Sequence, residues 1–156
     1  MDTTEIKRKL KNSLEISHIR GELLATTIAC VLGAGFAVLS SGKAKDIGMW
    51  IASGVMFGLI YIPILAYSLW RIFRVFRRAE ACRFYRCRLS QPHSGRWHRA
   101  MYFTVVLEEE DGATLVRDTH AIFYTHGIVG PLLEDYVNQM ATVAYNEETE
   151  EVIVIG

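Results

Sequence analysis

The chain has 156 residues, enough for one ordinary domain, and 51% of them are hydrophobic, more than the core of a water-soluble protein of that size absorbs. Its formal charge is zero, yet residues 1–100 carry 16 basic and 6 acidic side chains against 1 and 11 in residues 101–156, so a neutral average conceals a polarised molecule. A basic part beside long apolar runs points to a membrane surface and argues against nucleic acid, while three cysteines without a C-x-x-C pair argue against a disulfide framework or a thiolate metal site.

Residues 1–22 open with Ile6, Leu10 and Leu14, repeated every fourth position among Lys7, Arg8, Lys9 and Lys11, with Asp2 and Glu5 spaced as a capping box. The pattern predicts a cytoplasmic amphipathic helix. Two surfaces suit its apolar stripe: an anionic membrane leaflet, or the protein's own β domain.

No charge interrupts residues 23–42 or residues 47–70, runs of 20 and 24 residues. A helix needs about 20 apolar residues to cross a hydrocarbon core, so each run predicts a transmembrane helix. Residues 43–46 leave a short external turn, and so tight a connection makes the two spans an antiparallel hairpin. Trp50 and Trp70 are 20 positions apart. On a helix that is about 30 Å, which suits one ring at each membrane interface. Five basic residues precede the first span and seven follow the second, against Lys43 and Lys45 in the turn. Under the positive-inside rule both termini are cytoplasmic, and the long leading segment disfavours a cleaved signal peptide. Arg71, Arg74, Arg77 and Arg78 join the tryptophans as predicted membrane-interface residues.

Small residues recur at helical spacing, Ala29, Gly33 and Ala37 on the first span and Gly54 and Gly58 on the second. They predict close helix packing, either inside the hairpin or along a seam between copies. Pro63 lacks a backbone donor and crowds the carbonyl of Leu59, which predicts a kink.

Residues 71–82 read as a basic helical extension, and residues 83–156 as a cytoplasmic β domain. Tyr85, Cys87 and Leu89 alternate with Arg86, Arg88 and Ser90, the period of a half-buried strand. In it Cys82 and Cys87, an odd number of positions apart, leave opposite faces. Met101, Phe103, Val105 and Leu107 predict a second strand, Asp111-Gly112 a hairpin turn, and residues 114–124 a third strand whose pattern falters around Asp118 and His120. Gly130-Pro131 starts a short helix, and residues 140–145 and 150–155 complete the set around a turn at residues 146–149. The expected fold is therefore α + β: an amphipathic helix, a transmembrane hairpin and a five-stranded small β-barrel of OB-like or SH3-like kind, closed so as to hide the apolar residues 152–155.

This arrangement of a short membrane anchor, strands, a D-G hairpin and a closing Thr142-Val143-Ala144-Tyr145-Asn146 segment resembles uncharacterised bacterial membrane proteins with a small cytoplasmic β-barrel, and the OB-like tails of the NfeD family. The resemblance covers residues 79–156 in pattern alone, and implies a β-barrel at the membrane without implying catalytic residues.

No G-x-S-x-G, H-E-x-x-H or G-x-x-x-x-G-K-S/T motif is present. His93, His98, His120 and His126 match no metal-ligand spacing, and Glu108, Glu109, Glu110 and Asp111 read as a solvated hairpin tip. No catalytic residue, metal or cofactor is predicted. Arg86, Arg88, Arg96 and Arg99 are expected to meet lipid headgroups or another anion. The first functional expectation is a membrane-anchored binding or scaffold protein of the bacterial cytoplasmic membrane, whose acidic residues 101–156 recruit a protein partner. The second is a self-associating, channel-like protein with a cytoplasmic β collar, and an enzyme ranks third.

Overall fold

The structure, a computed structural model, describes residues 3–77, 79–94, 100–108, 112–123 and 130–155. Three helices lead the chain: α1 (Thr3–Lys11), α2 (Leu14–Ser40) and α3 (Ile47–Phe76). The break that was expected near residue 22 lies instead at residues 12–13. There the Ser13 side chain accepts the Ile16 N–H at 3.4 Å and caps α2. Nothing interrupts α2 between that cap and the apolar run, so one 27-residue helix serves both parts. Asp46 caps α3 by accepting the Gly48 N–H at 2.8 Å, and α3 continues through Pro63 and past Trp70. It stops earlier than the predicted extension to residue 82. Arg77 turns extended, its N–H closing onto the Phe73 carbonyl at 2.8 Å, and a 3-10 turn (Ala79–Ala81) leads into the first strand.

Helices α2 and α3 pack as an antiparallel hairpin. Thr27 and Tyr61 share a hydrogen bond at 2.9 Å, Ser53 donates to the Ala34 carbonyl at 3.1 Å, and Gly33 admits the Phe57 ring so closely that a Cβ there would sit 2.6 Å from it. Both helices are long and apolar enough to cross a membrane. Their outer side chains take no part in a core: Leu24, Leu32, Phe36, Ile47 and Leu59 are 64–75% exposed.

Among the described residues, eight strands form three small antiparallel sheets. The first joins β1 (Cys82–Arg88), β7 (Met140–Asn146) and β8 (Glu151–Ile155) in the order β1-β7-β8; the second joins β2 (His93–Ser94), β3 (Ala100–Tyr102) and β6 (Ile122–Phe123); the third pairs β4 (Thr104–Glu108) with β5 (Thr114–Asp118). The expected second and third strands are thus each divided, at Phe103 and at residues 119–121. At that division Thr119 donates its N–H to the Phe103 carbonyl at 2.8 Å, and its hydroxyl accepts the Phe103 N–H at 3.0 Å. No closed barrel is found among the described residues. A few bonds link the sheets instead: Ser90 N–H to the Thr104 carbonyl at 3.2 Å with Thr104 N–H to the Ser90 hydroxyl at 2.8 Å, and His120 N–H to the Val152 carbonyl at 2.7 Å beside a parallel bridge from Thr119 to Val152. The short helix expected after Pro131 is a 3-10 turn, Leu133–Tyr136.

The β1-β7-β8 sheet is covered on both faces, which is why β8 reads as an unbroken apolar run. One face sends Val143, Tyr145, Val152 and Val154 into a core with Phe103, Val105, Leu107, Ile122 and Leu14. The other sends Ala144, Ile153 and Ile155 against Ile6, Leu10, Ile16 and Val75, from all three helices. Residues 152–155 are therefore shielded on that side by helices rather than by closure of a barrel. Helix α1 takes the second of its two expected surfaces, the β domain, with Leu10 fully buried. Cys87 lies in the first core and Cys82 in the second, on opposite faces as their spacing implied. Burial pushes both thiols above their ordinary range, which leaves them poor nucleophiles.

Candidate functional site

Where the helices enter the β domain, four elements bring charged side chains together. Helix α2 supplies Glu15 and Glu22, seven positions apart and so on one face; α3 supplies Arg71 and Arg74; the break after β5 supplies His120; β8 supplies Glu151. Glu15 is 3% exposed and Arg71 is 6% exposed, and their charges are balanced within the cluster. Arg71 lies 3.7 Å from Glu15 and 3.4 Å from Glu22, and donates to the Ala121 carbonyl at 3.4 Å. Arg74 pairs with Glu151 and lies over the Trp70 ring, 5.7 Å from its centre.

His120 stands between the helical and sheet components. Its Nδ1 is 2.6 Å from Glu15 Oε2 and its Nε2 is 3.2 Å from Glu151 Oε1. Burial acts to lower the pKa of His120, but Glu15 and Glu151 outweigh it and raise the pKa above 6.5. Burial likewise acts to raise the pKa of Glu151, yet Arg74 and His120 prevail and lower it below the ordinary carboxylate value. The backbone bond from His120 to Val152 fixes the imidazole relative to β8. A cavity of about 270 Å³ adjoins the cluster, with Tyr67, Trp70, Tyr102 and Thr119 in its wall.

A second close fit lies next to it. His18, 1% exposed on α2, has Nδ1 3.0 Å from the Leu14 carbonyl and its ring against Gly130. Gly130 has φ +83°, and a Cβ there would be 2.8 Å from the ring, so both backbone conformation and space require glycine.

The residues singled out in the sequence are dispersed. Arg71 points inward, held by charge-assisted contacts with the buried Glu15 and the half-buried Glu22, away from the interfacial role expected of it. Arg77 is exposed, as are Trp50 (46%) and Trp70 (53%). Trp50 donates its indole N–H to the Ala44 carbonyl at 3.0 Å, and Ala37 is half-buried near the hairpin turn. Gly33 closes on Phe57, whereas Gly54 and Gly58 have no neighbour within 4 Å of a built Cβ and face a groove of about 230 Å³. Arg86 and Arg88 are exposed on one face of β1, beside Val106 and Met140, in a groove of about 790 Å³. Arg78, Arg96 and Arg99 lie outside the described residues, as do His98, His126, Glu109, Glu110 and Asp111.

Among the described residues no group of histidine, cysteine and acidic side chains could hold a metal. His93 faces Asp118 at 3.7 Å and stacks on Tyr102, away from the partners of His120. The charge split also folds partly onto itself, through Arg74 with Glu151 and Arg83 with Glu147 at 2.7 Å. Sequence reasoning missed Glu15, Glu22, His120 and Glu151 as a group. The available signals were two glutamates on one face of a helix in an otherwise basic segment, and a strand pattern that failed at His120. Comparison with protein-family models, curated proteins and solved structures gives no match for this chain.

Proposed function

We propose that the chain is a membrane-anchored binding module. Its hairpin crosses the bacterial cytoplasmic membrane with both termini in the cytoplasm, and its β domain receives a protein partner close to the bilayer. The observation that carries this reading is the core shared by all three helices and the β1-β7-β8 sheet, which holds the domain in one orientation at the end of two apolar helices. A flexible tether would leave the domain free to turn; a shared core presents one fixed surface.

The linked order β1-β7-β8, then Thr119 after β5, then β4 and back to Ser90 after β1, supports an OB-like arrangement related in pattern to NfeD-type tails. The surface that the helices leave open is the groove beside Arg86, Arg88, Val106 and Met140, which combines two exposed cations with two exposed apolar side chains. Glu147, Glu150 and Glu151 are engaged with arginines of this chain. A photo-crosslinker at Met140 in native membranes is expected to yield a discrete protein adduct that is lost when Arg86 and Arg88 are both changed to Glu. No discrete adduct from Met140 overturns the reading. Monodisperse behaviour of the purified chain in buffer without detergent overturns its membrane premise.

A second reading, self-association in the membrane, has its own support in the unfilled groove lined by Gly54 and Gly58. Mass in mild detergent separates the two: a closed ring of five or more copies favours a channel-like assembly, and a monomer or dimer rules out a pore.

A further inference from the structure

We propose that His120 is a proton-operated latch between the helical hairpin and the β domain, closed when its imidazole carries two protons and released when it carries one. Each ring nitrogen faces a carboxylate. Nδ1 faces Glu15 of α2 at 2.6 Å and Nε2 faces Glu151 of β8 at 3.2 Å. Both partners, when ionised, accept and cannot donate, whereas a neutral imidazole has one N–H and one lone pair. In the neutral state one nitrogen therefore points its lone pair at a carboxylate. The Glu151 contact is also out of line for a hydrogen bond, so Nε2 depends on the charge attraction that its proton supplies.

The charge balance leads to the same state. Around the imidazole stand Glu15 and, behind it, Glu22 from α2, Arg71 and Arg74 from α3, and Glu151 from β8, while Tyr67 of α3 and Tyr102 of β3 share the adjoining cavity. With all three carboxylates ionised, three negative charges face two guanidiniums and the imidazolium makes the cluster neutral; burial raises the pKa of Glu22, and the Arg71 charge opposes that shift. Beside the cluster, His18 of α2 is turned to Gly130, its pKa lowered by burial and by the Arg71 charge. Glu15 is almost fully buried, so loss of the His120 proton leaves it sharing Arg71 with Glu22. His120 itself lies at the break between β5 and β6, where the backbone is outside any ladder except for its bond to Val152. The raised pKa of His120 agrees in direction. The latch does not depend on what the domain binds, and its failure would leave the binding reading intact.

The test is amide hydrogen exchange of the full chain in lipid nanodiscs from pH 6 to pH 9, corrected for intrinsic exchange, with His120→Gln as the non-titrating control. Protection of residues 13–22 and 119–123 is expected to fall about tenfold or more as pH rises in the native chain, the scale of one charge-assisted hydrogen bond. It is expected to be low and independent of pH in H120Q. A second measurement on the native chain alone, the nitrogen shifts of the His120 ring, is expected to report imidazolium at pH 6 and a neutral ring at pH 9. A ring already neutral at pH 6, or the same pH profile in the native chain and H120Q, overturns the proposal.

Discussion

Arg71 has three calls on one guanidinium, Glu15, Glu22 and the Ala121 carbonyl, and little water to share them. Arg71→Ala strands two carboxylates at a buried site, and removing one partner of a buried ion pair costs about 3–5 kcal/mol. Thermal unfolding in mild detergent should show a loss of that order, with Arg71→Lys intermediate because an ammonium cannot fork between the three acceptors. For pH, His120 and Glu151 have opposite signs. The folded pKa of His120 lies above its ordinary 6.5, so its contribution is complete below that value and is lost as pH rises through the folded pKa. Glu151 lies below its ordinary 4.5, so its contribution is complete above that value and is lost as pH falls through the folded pKa. Glu22, raised by burial, and His18, lowered by burial, carry the signs opposite to Glu151 and His120. The check is therefore the melting temperature of His120→Gln and of Glu151→Gln relative to the native chain: the H120Q deficit should shrink as pH rises above 6.5 and the E151Q deficit as pH falls below 4.5. None of this cluster was legible in the sequence, since Glu15 and His120 are 105 positions apart and periodicity reports only neighbours. What could be read was the spoiled alternation at Asp118 and His120, a local failure at the place where tertiary demands take over.

Among the elements, α1 changes its meaning most between sequence and structure. Its Ile6-Leu10 stripe suited a lipid surface and a protein surface equally; burial against Ile153 and Ile155 decides for the protein. Leu10→Ala should cost about 2–5 kcal/mol, the range for emptying a buried leucine site, and chemical denaturation of the β domain is the measure. If α1 lay on lipid, that substitution would leave domain stability unchanged. The long uncharged runs, the alternation of β1 and the unbroken apolar run of β8 were legible because each keeps one pattern over its length. The divisions at Phe103 and after Asp118 were not, because they arise from hydrogen bonds between Thr119 and Phe103 that no local pattern encodes. The start of α2 was hidden for a related reason: Ser13 acts as a cap while also bridging to Ile155, and one of those two roles is tertiary.

For the whole molecule, the sheet shared between two cores makes the helices part of the β domain's interior. A fragment of residues 79–156 loses the cover over Ala144, Ile153 and Ile155 and exposes an apolar strip along β8. Expressed alone, it should aggregate or bind a hydrophobic dye strongly, as size-exclusion and dye fluorescence would report; a monodisperse, cooperatively folding fragment would refute the shared core. The same continuity has a mechanical side. Helix α2 runs without a hinge from Leu14, inside the domain, to Ser40 at the far end of the apolar run. At 1.5 Å per residue that is a rod of about 40 Å, and a 10° change of inclination swings one end by roughly 7 Å relative to the other. A bilayer that thins or thickens would thus act on a stiff lever, and the short arm of that lever carries Glu15.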